Sequence, residues 1–188
     1  HTPFLTSVYS FFYMFPSIFN NKDLDGISFK NQFSNFFFKP SIFSCTAKGV
    51  LKYLKLRKQS LKGLHIVLTS ISNIIGVPLI REFLREGAYV SVFKEVSSKL
   101  CQCLLQADIF VSAFPNFLLF GDCFLYKKRL ILIDIAFIKR NNKANGNFSL
   151  CLKYLKRSIS VTPIPGGIGP LTMSYFLRNT FILLHELS

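Results

Sequence analysis

Apolar positions along this chain fall into short β-branched runs separated by stretches of helical spacing. From Thr46 onward, Val50, Leu51 and Leu54 recur at helical spacing with Lys52, Lys55, Arg57 and Lys58 between them, which predicts a basic amphipathic helix. The run L-H-I-V-L-T-S, Leu64 to Ser70, follows Gly63 and reads as a buried parallel strand. After S-N-I-I-G-V-P, the residues Leu79, Ile80, Phe83 and Leu84 predict a second helix that stops at Gly87. Ala88 to Phe93 reads as a second strand, Ser97 to Gln106 as a short helix, and Asp108 to Phe114 as a third strand. Arg129 to Phe137 reads as a fourth strand and Ser158 to Thr162 as a short last one, before a long apolar helix from about Leu171 to Leu187. Lys139 to Phe148, with Asn141, Asn142, Asn145 and Gly146, reads as a surface loop. His1 to Phe43 is aromatic and Asn-rich, and is expected to be the tail of a preceding domain leading into a loop. Strands alternating with helices at this spacing predict the α/β class, with a doubly wound, mostly parallel sheet.

Composition narrows the picture. Half of the 188 residues are apolar and 17% are charged, so the chain is able to bury a core and is not intrinsically disordered. Lys and Arg number 23 against 9 Asp plus Glu, a formal charge of +14. That excess suits a polyanionic partner or a phosphate-bearing ligand. AT-rich codons for Phe, Lys, Asn and Ile offer a second origin, and charge alone does not choose. Neither an aromatic stacking motif nor a known binding module accompanies the charge, so no nucleic-acid partner is expected. The five cysteines, Cys45, Cys101, Cys103, Cys123 and Cys151, form no C-x-x-C pair. They are expected to be reduced thiols in a cytoplasmic protein. His1, His65 and His185 are scattered, so no metal site is expected. The longest apolar stretch, Phe4 to Phe19, is broken by Pro16 and several Ser, and has neither the basic start nor the cleavage site of a signal peptide. No membrane segment is expected. The first residue is His1 and not Met, and the chain is expected to begin inside a longer protein.

Three places are candidates for chemistry. In a doubly wound sheet, ligands bind beyond the carboxyl ends of the strands, where helix N-termini offer free N–H groups to phosphates. The turn Ser70-Ile71-Ser72-Asn73-Ile74-Ile75-Gly76 lies there, but only its last glycine fits G-x-G-x-x-G. Ser70 and Ser72 suit a phosphate, and equally an ordinary helix N-cap. The second candidate is T-P-I-P-G-G-I-G-P-L-T, Thr162 to Thr172, whose prolines stiffen the backbone and whose glycines permit close approach to a ligand. Asp25, with its neighbour Asp23 in K-D-L-D-G, is the third; a carboxylate beside Gly is either a turn residue or a ligand contact.

These segments, in this order, resemble the bifunctional methylenetetrahydrofolate dehydrogenase/methenyltetrahydrofolate cyclohydrolase family. T-P-I-P-G-G-I-G-P-L-T is similar to the family's T-P-V-P-G-G-V-G-P-M-T, and F-S-C-T-A-K-G-V (Phe43 to Val50) to its P-C-T-P-x-G-V. K-D-L-D-G is similar to K-D-V-D-G, and S-N-I-I-G-V-P (Ser72 to Pro78) to S-x-I-V-G-x-P. A-D-I at Ala107 to Ile109 and L-I-D-I at Leu132 to Ile135 fall at the expected intervals. The resemblance implies a Rossmann-like domain over residues 46–165, preceded by a remnant of a folate-binding catalytic domain over 1–45. Residues 166–188 would be a cleft loop and a helix packing back on that preceding domain. It further implies oxidation of 5,10-methylenetetrahydrofolate with NADP or NAD, hydrolysis of the product to 10-formyltetrahydrofolate, and a homodimer. Asp25, Pro165, Gly166 and Gly167 would contact the folate, and Ser70, Ile71, Ser72, Glu95 and Phe137 the cofactor.

Departures from the pattern are informative. The family's catalytic Tyr-x-x-x-Lys pair precedes K-D-V-D-G, and the 21 residues before Lys22 hold no such pair, so no catalytic residue is expected in this chain. Ser70 stands where the family's nucleotide turn opens with glycine, and Ile71 where Arg is frequent; Ile cannot pair with a 2′-phosphate. Lys94-Glu95 replaces a His-Ser, and Lys94 offers a substitute cation. Two readings follow: part of a working dehydrogenase/cyclohydrolase that is inactive alone, or a non-catalytic remnant that dimerises or binds a nucleotide.

Overall fold

A computed structural model describes residues 22–37, 41–70, 72, 74–95, 97–113, 130–135, 138–140, 143–146 and 159–187. Its first element, α1 (Phe29–Phe36), lies where a loop was expected. Propensity in this Asn-rich stretch is poor, and local hydrogen bonds make up for it. The Ser28 hydroxyl accepts from the Asn31 N–H, and the Asp23 carboxylate accepts from the N–H groups of Ile27 and Ser28 at 2.9 and 2.7 Å.

Helix α2 (Cys45–Leu56) begins at the Ser44 cap and turns Ala47, Val50 and Leu54 inward, as the periodicity predicts. Then β1 (His65–Thr69), α3 (Gly76–Arg85), β2 (Tyr89–Val92), α4 (Ser98–Gln106), β3 (Ile109–Ser112) and β4 (Leu130–Asp134) follow in strict alternation up to β3. β4 is shorter than the Arg129 to Phe137 run, and Phe137 lies outside the described residues. Residues expected to form a loop instead pair as β5 (Ile138–Arg140) and β6 (Lys143–Asn145), an antiparallel ladder. Two short arms joined by two residues meet the geometric need of a hairpin, but their polar sequence carries no apolar alternation to announce it. β7 (Ile159–Val161) precedes α5 (Ile168–Leu187), which starts three residues before the expected Leu171 and holds Pro170 in its first turn.

β1, β2, β3, β4 and β7 form one parallel sheet in the order β2-β1-β3-β4-β7. Alternate side chains divide between two cores. Ile66, Leu68, Ile109, Val111 and Ile133 pack on one face with Val50 and Leu54 of α2 and Leu79 and Phe83 of α3. Val67, Phe110, Leu130 and Leu132 pack on the other face with Leu100 and Leu104 of α4. The chain moves outward from β1 to β2 and then returns past β1 to β3, so strand order reverses between β1 and β3. The expected doubly wound, Rossmann-like sheet is what forms.

α5 lies against α2 outside this sandwich. Its buried Asn179 donates from Nδ2 to the carbonyls of Leu24 at 2.8 Å and Phe43 at 3.2 Å, tying the last helix to the segment before α2. Cys101 is disulfide-bonded, which corrects the expectation of uniformly reduced thiols; Cys45 and Cys103 are free. Spacing gave no sign of that bond, because it depends on which cysteines the fold brings together. Among the described residues, no helix is long and apolar enough to cross a membrane.

Candidate functional site

The three central strands β1, β3 and β4 each end in a polar residue, and the register lines these residues up. Thr69 pairs with Ser112, and Ser112 with Asp134, so three strands present one polar row at the carboxyl edge of the sheet. Thr162, just after β7, extends it: its Oγ1 accepts from the Asp134 N–H at 2.8 Å. All four are buried. Thr69 Oγ1 also accepts from the Ala113 N–H at 3.2 Å, joining the ends of β1 and β3 at the reversal point. Reading strand by strand did not single out Thr69, Ser112 or Asp134, although each ends its strand. Their alignment is a property of register and not of any one segment.

A cleft of about 490 Å³ opens beside this row. Thr46 of α2, Asp134, the loop Ile164 to Gly167, and Thr172 and Met173 of α5 line it. Pro165, Gly166 and Gly167 therefore share one cleft. The loop is cis at Ile164–Pro165. Its glycines serve two purposes, of which a positive φ was expected and close packing on the loop's own backbone was not. Gly166 alone of the three takes a left-handed backbone (φ +104°), with open space where a side chain would sit. Gly167 has no positive φ; a Cβ there would fall on the Pro163 carbonyl oxygen and 3.1 Å from Thr162 Cβ. Gly146, next to the β5–β6 hairpin, lies against the Asp134 carboxylate, and a Cβ at that position would come 2.5 Å from Oδ2.

Asp25 lines a separate hollow of about 250 Å³ with Lys22, Leu24 and Phe176, one helical turn along α5 from Thr172. The two adjacent carboxylates have different roles. Asp23 is consumed by the turn, accepting also from Asn31 Nδ2 at 2.8 Å. The Asp25 carboxylate lies within hydrogen-bonding reach of the Cys45 thiol. Burial, with Asp25 adding to it, pushes the Cys45 thiol up to about 12.

The turn after β1 closes on itself. Ser70 is buried, and its Oγ accepts from the Ser72 N–H at 3.3 Å and meets Ser72 Oγ at 3.2 Å. Ser72 Oγ in turn accepts from the N–H groups of Ile75 at 3.1 Å and Gly76 at 3.4 Å. These amides open α3, where a phosphate would be held. The turn thus fits a nucleotide in position but has its first donors occupied by a serine. Glu95 is exposed beyond β2, near the same edge; Ile71 and Phe137 lie outside the described residues.

Comparison with known proteins agrees with this geometry. Residues 44–187 match the family of the tetrahydrofolate dehydrogenase/cyclohydrolase NAD(P)-binding domain. The bifunctional protein FolD of Mesoplasma florum is 31% identical over 169 residues, covering 88% of this chain and 58% of the relative. FolD of Buchnera aphidicola is 34% identical over 168 residues, 87% of this chain and 58% of the relative. Among solved structures, the FolD methylenetetrahydrofolate dehydrogenase/cyclohydrolase of Campylobacter jejuni superposes with a TM-score of 0.74 at 31% identity, covering 88% of this chain and 58% of that one. The chain spans somewhat over half the length of these relatives. With that much of its length matched, it belongs to the tetrahydrofolate dehydrogenase/cyclohydrolase family and carries that family's NAD(P)-binding domain.

Proposed function

We propose that this chain is the nucleotide-binding part of an enzyme of one-carbon folate metabolism. Such an enzyme oxidises 5,10-methylenetetrahydrofolate to the methenyl form and hydrolyses that to 10-formyltetrahydrofolate. The observation that carries the reading is the cleft of Pro165, Gly166 and Gly167 at the carboxyl edge of a parallel sheet, beside the buried row ending in Asp134. In this reading Pro165 to Gly167 border the folate, and the Asp25 carboxylate receives the N–H pair of the pterin. Ser70, Ile71, Ser72, Glu95 and Phe137 hold NADP or NAD. The nicotinamide, when bound, accepts a hydride; the protein's part is to hold the two ligands and exclude water.

Alone, the chain is proposed to be inactive, because no Tyr-x-x-x-Lys stands before K-D-L-D-G and losing a general acid–base group costs roughly 10²–10⁴ in rate. Helix α5 exposes Met173, Leu177, Phe181 and Leu184 at spacings of four and three residues, an apolar stripe that supports its packing against the family's preceding domain. A homodimer completes the reading. A second reading, a non-catalytic remnant that dimerises or binds a nucleotide, is favoured by the lack of Tyr-x-x-x-Lys in this chain.

Calorimetric titration of the chain with NADP, NAD and tetrahydrofolate tests both. The expected result is weak binding of either cofactor with little preference between them. Asp25→Ala should lower tetrahydrofolate affinity roughly tenfold to a hundredfold, the loss of a charge-assisted pair, and leave the cofactors alone. Equal loss of all three ligands refutes the role of Asp25. A turnover assay reaching ordinary enzymatic rates refutes inactivity.

A further inference from the structure

A second cavity, of about 310 Å³, lies between α2, α3 and α5 and shares no lining residue with the folate cleft. Four cations line it: Lys48 of α2, Arg81 and Arg85 of α3, and Arg178 of α5. Among the described residues Glu82 is the one carboxylate in the lining, and both of its oxygens are engaged. Oε1 takes Arg81 Nη2 at 2.5 Å and Oε2 takes Arg85 Nη2 at 2.7 Å, with the Glu82 side chain only 5% exposed.

Lys48 and Arg178 receive no such partner. Among the described residues, the Lys48 ammonium has the Phe43 ring at 4.6 Å, and the Arg178 guanidinium has the Tyr175 ring at 5.9 Å. Neither makes a hydrogen bond or ion pair with a described residue. Four cations against one carboxylate leave a net charge of +3 in a concave, partly desolvated space. Burial, together with Arg178, Arg85 and Arg81, lowers the Lys48 pKa despite the pull of Glu82. Such an array attracts an added anion.

We propose that this cavity is a binding site for a small phosphate-bearing polyanion of the pyrophosphate class. Guanidinium forks match phosphate oxygens, and donors from three helices line one cavity, which a tetrahedral anion with oxygens in several directions satisfies better than a planar carboxylate does. The donors line a concavity, so a duplex backbone, which presents phosphates on a convex rod, does not reach them together. Because the anion would bridge α2, α3 and α5, binding should raise the melting temperature of the chain.

The test is titration of the full chain with pyrophosphate in 150 mM NaCl, beside citrate and an NaCl addition matched in ionic strength (about the physiological range). Saturable binding of pyrophosphate, tighter than citrate, is expected. Arg178→Gln and the double variant Lys48→Met/Arg178→Gln should lose roughly tenfold or more in pyrophosphate affinity. Lys55→Met, an equal charge change on the exposed side of α2, should lose none. Arg178→Gln sits on an exposed turn of α5, so it remains informative if the double variant fails to fold. No binding to a folded wild-type chain overturns the proposal. So do equal binding of citrate, an effect reproduced by NaCl, equal loss in Lys55→Met, or tighter binding of a ribooligonucleotide than of pyrophosphate.

Discussion

Replacing Gly167 by Ala isolates one contact on which the cleft loop depends. An added Cβ would fall on the Pro163 carbonyl oxygen, a backbone atom that cannot rotate away, and would crowd Thr162 Cβ at 3.1 Å. The loop must therefore move, or Thr162 must, and Thr162 Oγ1 holds the Asp134 N–H at 2.8 Å. Forced overpacking of this kind costs about 1–3 kcal/mol. In a chain of 188 residues, each kcal/mol shifts the melting temperature by about 2–4 °C, so a fall of roughly 2–12 °C is expected. Two neighbours are internal controls. Gly169 has open space and no positive φ, so Gly169→Ala should be neutral or gain up to about 1 kcal/mol from the better helix former. Gly166 also has open space but a φ of +104°, so Gly166→Ala should destabilise through backbone strain without any clash. Thermal unfolding by circular dichroism ranks the three. If Gly167→Ala melts with Gly169→Ala, the steric argument is wrong.

Three further outcomes are expected. Asn179→Leu should cost about 1–3 kcal/mol, because the Leu24 and Phe43 carbonyls lose the Nδ2 donor; a melting temperature unchanged from wild type would contradict it. The Cys45 thiol, raised from 9.0 to about 12, stays protonated in the native state while the unfolded chain ionises, so its contribution to stability is complete below pH 9 and is lost as pH rises from 9 towards 12. Cys45→Ser should flatten that alkaline loss, and alkylation of Cys45 at pH 8 should occur only on unfolding; rapid native labelling would refute the burial argument. Ser70→Gly should raise NAD(P) affinity several-fold by removing the hydroxyl that braces Ser72, and calorimetry showing unchanged or weaker binding would refute the self-capping argument.

The central strands β1, β3 and β4 were legible because each is an apolar run largely buried on both faces, and helix α2 because its apolar stripe carries the 3.6-residue period. What failed to show was held by interactions with no pattern. Helix α1 depends on Asp23 and Ser28 taking N–H groups, and β5–β6 is a backbone ladder in a polar stretch. The K-D-L-D-G motif pointed to the right place without saying which carboxylate the turn would consume. Asp23 takes it because Ile27, Ser28 and Asn31 all aim donors at its position. Likewise, Gly166 and Gly167 look alike in sequence. Only the path of the chain assigns conformation to one and close packing to the other.

The two halves of the proposed site are consequently in different condition. At the folate end, the loop is shaped by packing that a ligand need not disturb: Gly167 is seated on Pro163, Gly166 faces open space, and Asp134 and Thr162 are bonded beneath. At the nucleotide end, the first amides of α3 already have an acceptor, the Ser72 hydroxyl, which Ser70 holds in place. A pyrophosphate arriving there must displace a bond the turn makes for itself, and it receives no help from Ile71 at the position where the family often has Arg. Binding at this turn is therefore an exchange of acceptors and not the filling of an open nest. The cofactor should owe more of its affinity to apolar contacts deeper in the cleft than to its phosphates. Salt should weaken its binding little, in contrast to the strongly salt-dependent binding expected at the Lys48–Arg178 cavity.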